Sequence, residues 1–180
     1  MQTDEYGNFD REYITRAEMA QILVNILHLR TAETMTEESL FPDIDKNHWA
    51  YNSIHICKEA GIIDGYRNGM FGPEDRATYE QVIKLLVTVL GYSTVAEENG
   101  SYPQGYIKVA NDIGILKGID VVPTNDAKRE NVARMILNLV YLPVMEQTVY
   151  GENPEYQIMD GNNGMPLIRF FDKYFVSNAD

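Results

Sequence analysis

Three polar residues in the stretch FPDIDKNHWAYNSI are spaced like the ligands of a calcium loop. Asp43, Asp45 and Asn47 alternate as the first oxygen donors of an EF-hand do. Such a loop also needs glycine at its sixth position and glutamate at its twelfth, where this stretch has His48 and an isoleucine. We therefore expect no metal site. We predict instead that Asp45 or Asn47 caps a following helix, while Asp43 accepts hydrogen bonds in the preceding loop.

The segment TRAE combines a helix-start signal with a cation that the signal does not explain. Thr15 and Glu18 form the T-x-x-E pattern of a capping box. Arg16 lies in the first turn, where a positive charge facing the helix dipole costs roughly a few tenths of a kcal/mol. We expect an anion to compensate it, either a carboxylate of the chain or one of a ligand, because the planar guanidinium binds both.

Aromatic and glycine residues add two further candidate binding features, each with a structural alternative. Trp49 begins a predicted helix and either packs in the core or forms the wall of a sugar-binding groove, and Tyr102 occupies the matching place later in the chain. Gly65, Gly69 and Gly72 in DGYRNGMFGP indicate tight turns, and the same residues would also permit close approach of the backbone to a ligand.

Composition and motifs argue against several classes of protein. The formal net charge of -12 disfavours nucleic acids and anionic membranes as partners. No H-E-x-x-H or G-x-S-x-G motif occurs, so we expect no catalytic residue and no cofactor. No run reaches the roughly 18 apolar residues of a membrane span. The single cysteine, Cys57, lies in a helical pattern and is predicted to be a buried packing thiol.

Three segments repeat the same helical face, which predicts three long amphipathic helices. The pattern starting at Met19 recurs 63 residues later at Val82, and again 50 residues later at Val132. The predicted apolar stripes are Met19, Ile22, Leu23, Ile26 and Leu27; Val82, Leu85, Leu86, Val89 and Leu90; and Val132, Met135, Ile136, Leu139 and Val140. Because one such unit cannot cover its own stripe, we expect the long helices to form a bundle.

A shorter helix precedes two of the long ones and completes a helix–loop–helix unit. Trp49 aligns with Tyr102, and Gly61 and Gly114 follow the helix ends as C′ glycines do. Helices are predicted near 15–29, 48–60, 79–91, 103–113 and 129–142. Repeats are expected at 1–30 (partial), 41–92 and 100–143, within a domain covering 1–145. The remaining 146–180 is predicted to form one or two strands and a helix starting at Pro166, as an extension or the start of another domain.

The repeated motifs resemble the S-layer homology (SLH) domain of bacterial surface proteins. The resemblance is carried by ITRAE at 14–18 and by the pattern FPDI, HWAYNSI and AGIIDGYRNGMFGP between residues 41 and 73. It implies a mainly α fold, a pseudo-threefold bundle of three helical repeats, with the short C-terminal α/β extension lying outside it. No signal peptide precedes the repeats, so the chain is either cytoplasmic or a piece of an exported protein; the resemblance implies the latter, located in the cell wall or S-layer.

The resemblance also implies a function and a set of binding residues. An SLH domain would bind a secondary cell-wall polysaccharide, often pyruvylated, and anchor the remainder of a larger surface protein without catalysis. The ligand-binding candidates are Arg16, Asp43, Trp49, Gly65, Gly69, Tyr102 and Arg129. ITRAE is intact only in the first repeat; Tyr79 replaces the arginine in the second, so we expect one or two working grooves.

Two other hypotheses remain open from the sequence. The imperfect second and third motifs are compatible with a scaffold or assembly module that no longer binds sugar. Alternatively, the tail begins the catalytic domain of a hydrolase.

Overall fold

The computed structural model describes residues 12–30, 40–150, 154–162 and 166–176. Within these ranges the chain is mostly helical, with six α-helices, one π-helical segment and one two-stranded antiparallel sheet. The chain divides into two compact units, Met1–Thr78 with Asp126–Arg129, and Tyr79–Asn125 with Glu130–Asp180. No helix in the described part of the chain is both long and apolar enough to span a bilayer.

The first unit is built on two packed helices. They are α1 (Arg16–Ile26) and α2 (Tyr51–Glu59). The Cys57 thiol of α2 is buried and donates to the carbonyl oxygen of Ala20 at 3.5 Å. Burial raises the pKa of Cys57 to about 12, so the prediction of a packing thiol is confirmed. Thr15 and Glu18 form the predicted capping box at the start of α1.

The second unit holds the remaining elements, apart from the first residue of the sixth helix. They are α3 (Tyr79–Val89), α4 (Ser93–Glu98), α5 (Gln104–Ile113), α6 (Arg129–Leu139), β1 (Met145–Val149), β2 (Glu155–Ile158) and the π-helical segment Asp172–Val176. Helix α5 packs against α3 and α4. Helix α4 was not predicted, because six residues are too few to display a helical period.

The predicted apolar stripes coincide with the buried faces of the long helices. Within each stripe at least three residues are buried, and none of the predicted residues is exposed. All three long helices end earlier than the periodicity suggested, α1 at Ile26 and α6 at Leu139. Gly61 and Gly114 follow α2 and α5 with φ of +69° and +99°, as predicted for residues that end helices.

The tail agrees with the sequence in its strands and differs in its helix. Strands β1 and β2 pair antiparallel, with Met145 opposite Ile158. The predicted helix from Pro166 is wrong, because Leu167 and Arg169 instead make isolated bridges with Asp160 and Pro143. The apolar spacing in PLIRFFDKYF therefore reflects an extended segment followed by a short π-helical turn, with only Phe170 of its aromatic residues fully buried.

A closed cycle of backbone hydrogen bonds joins three short segments in the first unit. Ile14 N–H donates to the Ala127 carbonyl at 3.0 Å, Ala127 N–H to Ala77 at 2.8 Å, and Ala77 N–H to Ile14 at 2.9 Å. All three residues are at most 1% exposed. The flanking bridges are Tyr13 with Lys128, Thr15 with Arg76, and Thr78 with Asp126. We call this set, residues 13–15, 76–78 and 126–128, the junction.

Each junction segment leads directly into a long helix whose first N–H is satisfied by a different repeat. The bonds are Arg16 N–H to Asp75, Tyr79 N–H to Asn125, and Arg129 N–H to Glu12. These acceptors are related by the same offsets of 63 and 50 residues as the helices. Since the first N–H groups of a helix have no partner within it, the loops of other repeats complete the helix starts.

The backbone cycle gives a direct test of the junction. Ala77→Pro removes the N–H that donates to Ile14, leaves that buried carbonyl unsatisfied, and should lower the free energy of unfolding on the order of 3 kcal/mol. Ala77→Gly keeps the N–H and should cost only about 1 kcal/mol. Chemical denaturation followed by helical circular dichroism measures both. Equal losses would mean that the backbone bond contributes little.

A buried histidine on α2 predicts that the stability of the first unit depends on pH. His55 is 1% exposed, and its ring centre lies 4.2 Å from that of Tyr51 with the two planes tilted by 33°. Its Nδ1 has no hydrogen-bond partner in the described residues. Burial lowers the pKa of His55, although the charge of Glu59 opposes this. The folded state therefore protonates His55 less readily than the unfolded chain, in which the histidine has its ordinary pKa of 6.5.

Because the unfolded state binds this proton more readily, stability should decline as pH falls below the unfolded-state pKa of His55, and the decline should continue to its lower folded-state pKa. His55→Phe removes the titrating group from the same buried site. Denaturation midpoints compared between neutral and mildly acidic pH should fall less for the variant than for the parent. Parallel pH curves for the two proteins would exclude His55 as the source.

Candidate functional site

The first residue of α1 holds both ends of the loop that follows α2. Arg16 Nε donates to the carbonyl oxygen of Phe71 at 2.8 Å, and Nη2 donates to that of Asp64 at 2.9 Å. The guanidinium carbon lies 4.5 Å from the ring centres of both Tyr66 and Phe71. The cation of the first repeat is thus seated in the glycine-rich loop of the second, residues 64–72.

These contacts explain how a cation is tolerated at the start of α1. Carbonyl oxygens and aromatic faces both present negative potential, and each cation–π contact contributes about 0.5–1 kcal/mol or more. The expectation of a carboxylate partner for Arg16 included neither these carbonyl oxygens nor these rings. The aromatic residues at 66 and 71 were visible in the sequence, but nothing local assigned them to an arginine about 50 residues earlier.

Asp43, which precedes α2, binds the same loop through backbone N–H groups. Its carboxylate accepts the N–H of Phe71 at 2.9 Å and that of Gly72 at 2.7 Å. The prediction that Asp43 accepts hydrogen bonds in a loop is confirmed, with partners that lie 28 and 29 residues further along. Phe71 is therefore held by Asp43 at its N–H and by Arg16 at its carbonyl.

The two glycines proposed as binding residues have different structural roles. Gly69 has a φ of +82° and is exposed, which fits the predicted tight turn. At Gly65 there is no room for a side chain, since a Cβ there would lie 2.6 Å from the ring of Phe41 and 2.8 Å from the carbonyl oxygen of Met70. Both lie in the loop that Arg16 and Asp43 hold.

Trp49 is not a core residue, so that interpretation of the sequence is wrong. It is 52% exposed, and its ring stacks on His48 with centroids 5.7 Å apart and planes inclined by 29°. The predicted cap of α2 is also wrong. Asp45 accepts from the backbone and side chain of Asn47, whereas the Ala50 N–H donates to Nδ1 of His48. The local turn at 45–47 competes with capping for these polar groups.

Tyr102 lies in the second unit, in a different setting from Trp49. It is 42% exposed, and its hydroxyl donates to Glu80 at 3.1 Å. The ammonium group of Lys84 lies 5.7 Å from the centre of its ring, at the outer range of a cation–π contact. The ring also meets Tyr106 edge-on at 6.3 Å.

Arg129 is engaged by a carboxylate of its own chain. Its Nη2 donates to both oxygens of Glu18, at 2.5 and 2.6 Å, and Glu18 also completes the capping box of α1. The Nε of Arg129 is buried without a hydrogen-bond partner among the residues described. The second-repeat counterpart, Tyr79, is 4% exposed and accepts from the side chain of Asn131 at 2.7 Å. The three equivalent helix starts are therefore chemically different.

The first unit gathers four of the predicted residues, Arg16, Asp43, Gly65 and Gly69, at one loop. Arg16 and the loop together offer a cation, one exposed aromatic side chain, Tyr66, and backbone groups, a combination suited to binding a polar or anionic ligand. Within the described ranges, no group of three or more His, Cys, Asp or Glu side chains is arranged to hold a metal ion.

Comparison with known proteins identifies the family of this region. Residues 40–83, which include α2 and the loop, match the S-layer homology domain. The chain is 27% identical over 135 residues to a cell surface protein of Thermoanaerobacter kivui, covering 74% of this chain and 17% of that protein. It is 25% identical over 159 residues to a surface layer protein of Brevibacillus choshinensis, covering 86% and 14%.

A third relative carries a different name. The chain is 26% identical over 153 residues to an endoglucanase of a Bacillus species, covering 76% of this chain and 16% of that protein. The chain thus spans less than a fifth of the length of each of these relatives.

Asp43 offers a test of how the loop is held. Asp43→Asn replaces a charged acceptor of two backbone N–H groups with a neutral one and should destabilise the loop by about 1–3 kcal/mol. Hydrogen exchange at Phe71 and Gly72 should accelerate, while exchange within α1 changes little. Asp45→Asn removes the same charge two residues away and is the matched control. Similar exchange in both variants would show that Asp43 does not hold the loop.

Proposed function

Since residues 40–83 match the S-layer homology domain, we propose that this chain is a non-catalytic module that anchors a larger surface protein to the cell wall. Its relatives include proteins named for the cell surface and the surface layer, and each is several times longer than this chain. In the proposal, the bound partner is a secondary cell-wall polysaccharide bearing carboxylates, such as pyruvylated sugars. The protein would accordingly work outside the cell.

The contacts that Arg16 makes with the loop are the main support for the proposal. The chain has 15 basic and 27 acidic residues, so a polyanion would be repelled by most of its surface. An acidic polymer would therefore need a cation whose direction is fixed. Arg16 is fixed by two carbonyl acceptors and two rings, and it lies at the exposed loop of the matched domain. Guanidinium is suited to carboxylate groups because of its planar fork.

The junction and the sequence offsets support a wider proposal for the plan of the module. We place the repeats within 1–145 on a pseudo-threefold plan, with 146–180 as an extension, and ligand grooves formed where a helix start of one repeat meets the loop of another. The cyclic bonding of Ile14, Ala77 and Ala127 supports this plan. Asp43, Gly65 and Gly69 would shape the groove, with Trp49 or Tyr102 contributing an aromatic wall.

The three grooves are not proposed to be equivalent. Tyr79 is buried, and Arg129 is paired with Glu18, so the position of Arg16 has the strongest support as a binding site. An acidic polymer would have to displace Glu18 in order to use Arg129. Avidity along a repeating polymer would require that more than one groove binds.

A scaffold without sugar binding is the second candidate, and the Arg129–Glu18 pair favours it. In that case the charged helix starts serve internal pairing, and the module contributes to assembly only. Binding to purified wall polysaccharide separates the two functions.

We predict that Arg16→Ala weakens binding to isolated wall polysaccharide about tenfold or more, because a charge-assisted contact is lost. Isothermal titration or cosedimentation measures the change, with circular dichroism to check that helix content is retained. Arg134→Ala, an exposed position on α6, removes the same charge and should leave binding nearly unchanged. Wild-type affinity in Arg16→Ala would reject the role of Arg16, and failure of the parent protein to bind would favour the scaffold.

A further inference from the structure

The imidazole of His48 is fixed at both of its nitrogen atoms. Nδ1 accepts the N–H of Ala50 at 3.2 Å, and Nε2 lies 3.1 Å from Oε1 of Glu74. An acceptor at Nδ1 requires the proton of the neutral ring to lie on Nε2, which then donates to the carboxylate. The ring is thus held by the start of α2 on one side and by the loop end on the other.

Glu74 is suited to this contact. Partial burial alone would raise the pKa of Glu74, but the hydrogen bond from His48 is among the contacts that leave this pKa below its ordinary value. The carboxylate is therefore ionised at neutral pH and available as an acceptor.

The indole ring of Trp49 stacks on this fixed imidazole. One face of the indole stacks on His48, yet the residue remains 52% exposed. A large aromatic ring with an open face normally loses order in solvent, whereas a ring stacked against a fixed neighbour keeps a defined plane. Trp49 is therefore a preformed flat surface that faces away from the core.

The segment 73–75 connects this surface to Arg16. Glu74 holds His48, while the carbonyls of the two neighbouring residues, Pro73 and Asp75, accept the N–H groups of Ala17 and Arg16. Residues 73–75 thus contact both the start of α1 and the imidazole of His48 on which Trp49 stacks. A ligand contacting both the guanidinium and the indole would meet them at a defined spacing.

The matching position in the third repeat lacks this arrangement. Ser101 aligns with His48, so Tyr102 has no imidazole preceding it. The Tyr102 ring instead lies near the ammonium group of Lys84, and its hydroxyl is bound to Glu80. Support from a stacked imidazole is therefore a property of Trp49, whereas Tyr102 is held through its hydroxyl group.

We propose that His48 and Glu74 are positioning residues that hold Trp49 as the platform for the apolar face of a sugar ring. The inference rests on the proposed binding of wall polysaccharide and adds which aromatic residue stacks and what orients it. The C–H face of a pyranose is the partner that fits, because it stacks on an aromatic surface while its hydroxyl groups remain free for polar contacts.

The single tryptophan makes the proposal measurable. His48→Asn keeps a side-chain oxygen to accept the Ala50 N–H, as Asn does at helix starts, but removes the stacked ring and the Glu74 contact. It should lower the fluorescence anisotropy of Trp49 and weaken binding to isolated wall polysaccharide about three- to tenfold. Glu74→Ala should do the same, whereas Glu74→Gln retains an acceptor and should restore both signals. Trp49→Ala sets the size of the platform contribution.

Each result decides a separate part of the proposal. Weak binding in His48→Asn and Glu74→Ala with recovery in Glu74→Gln supports positioning. Wild-type binding in both, while Trp49→Ala is weakened, overturns it, since the platform would then need no support. Wild-type binding in Trp49→Ala overturns the platform itself. If the parent protein does not bind the polysaccharide, the proposed function is wrong, and unchanged anisotropy would still refute the fixed ring.

Discussion

The first unit depends on one constraint, namely that three buried backbone segments satisfy one another's hydrogen bonds in a closed cycle. Ile14, Ala77 and Ala127 each donate one hydrogen bond and accept one, always with a different member of the set. A buried N–H or carbonyl without a partner costs about 1–3 kcal/mol, so no segment can be withdrawn without leaving two others incomplete. The small side chains at two of these positions let the chains approach closely, and Lys128 pairs with Glu12 beside them at 2.6 Å.

The same constraint decides which residues form the candidate site. Because Asp75 accepts the first N–H of α1, the side chain of Arg16 is directed to the loop of the second repeat and not to its own. Asp43 then closes that loop from the second repeat. The cation and the loop that seats it therefore come from different repeats. An intact motif in one repeat would therefore not create this site without the loop of the next repeat.

Much of the fold was accessible from the sequence because its signals are local. The apolar residues of each stripe recur every three to four positions, and the two residues of the Thr15–Glu18 capping box are three positions apart. The glycines after α2 and α5 end the helices that immediately precede them. The missed features have equally physical causes. Helix α4 is too short to show a helical period. Whether the Trp49 side chain is buried or exposed at the start of α2 depends on tertiary packing. The aromatic spacing after Pro166 suited a helix, but bridges with distant residues extended the chain there instead.

The sequence by itself determined the offsets of the repeat, the presence of the long helices, their buried faces and the resemblance to a surface-layer module. Only the tertiary structure decided what the charged and aromatic residues contact. Arg16 meets carbonyls 48 and 55 residues away, and Arg129 meets Glu18 across 111 residues. Short-range periodicity reflects the geometry of one helix and is legible in the chain. Residues that are distant in the sequence and meet only in the folded protein leave no periodic pattern in the sequence. Which groups contact a given cation, carbonyl oxygens or a carboxylate, is therefore visible only in the tertiary structure.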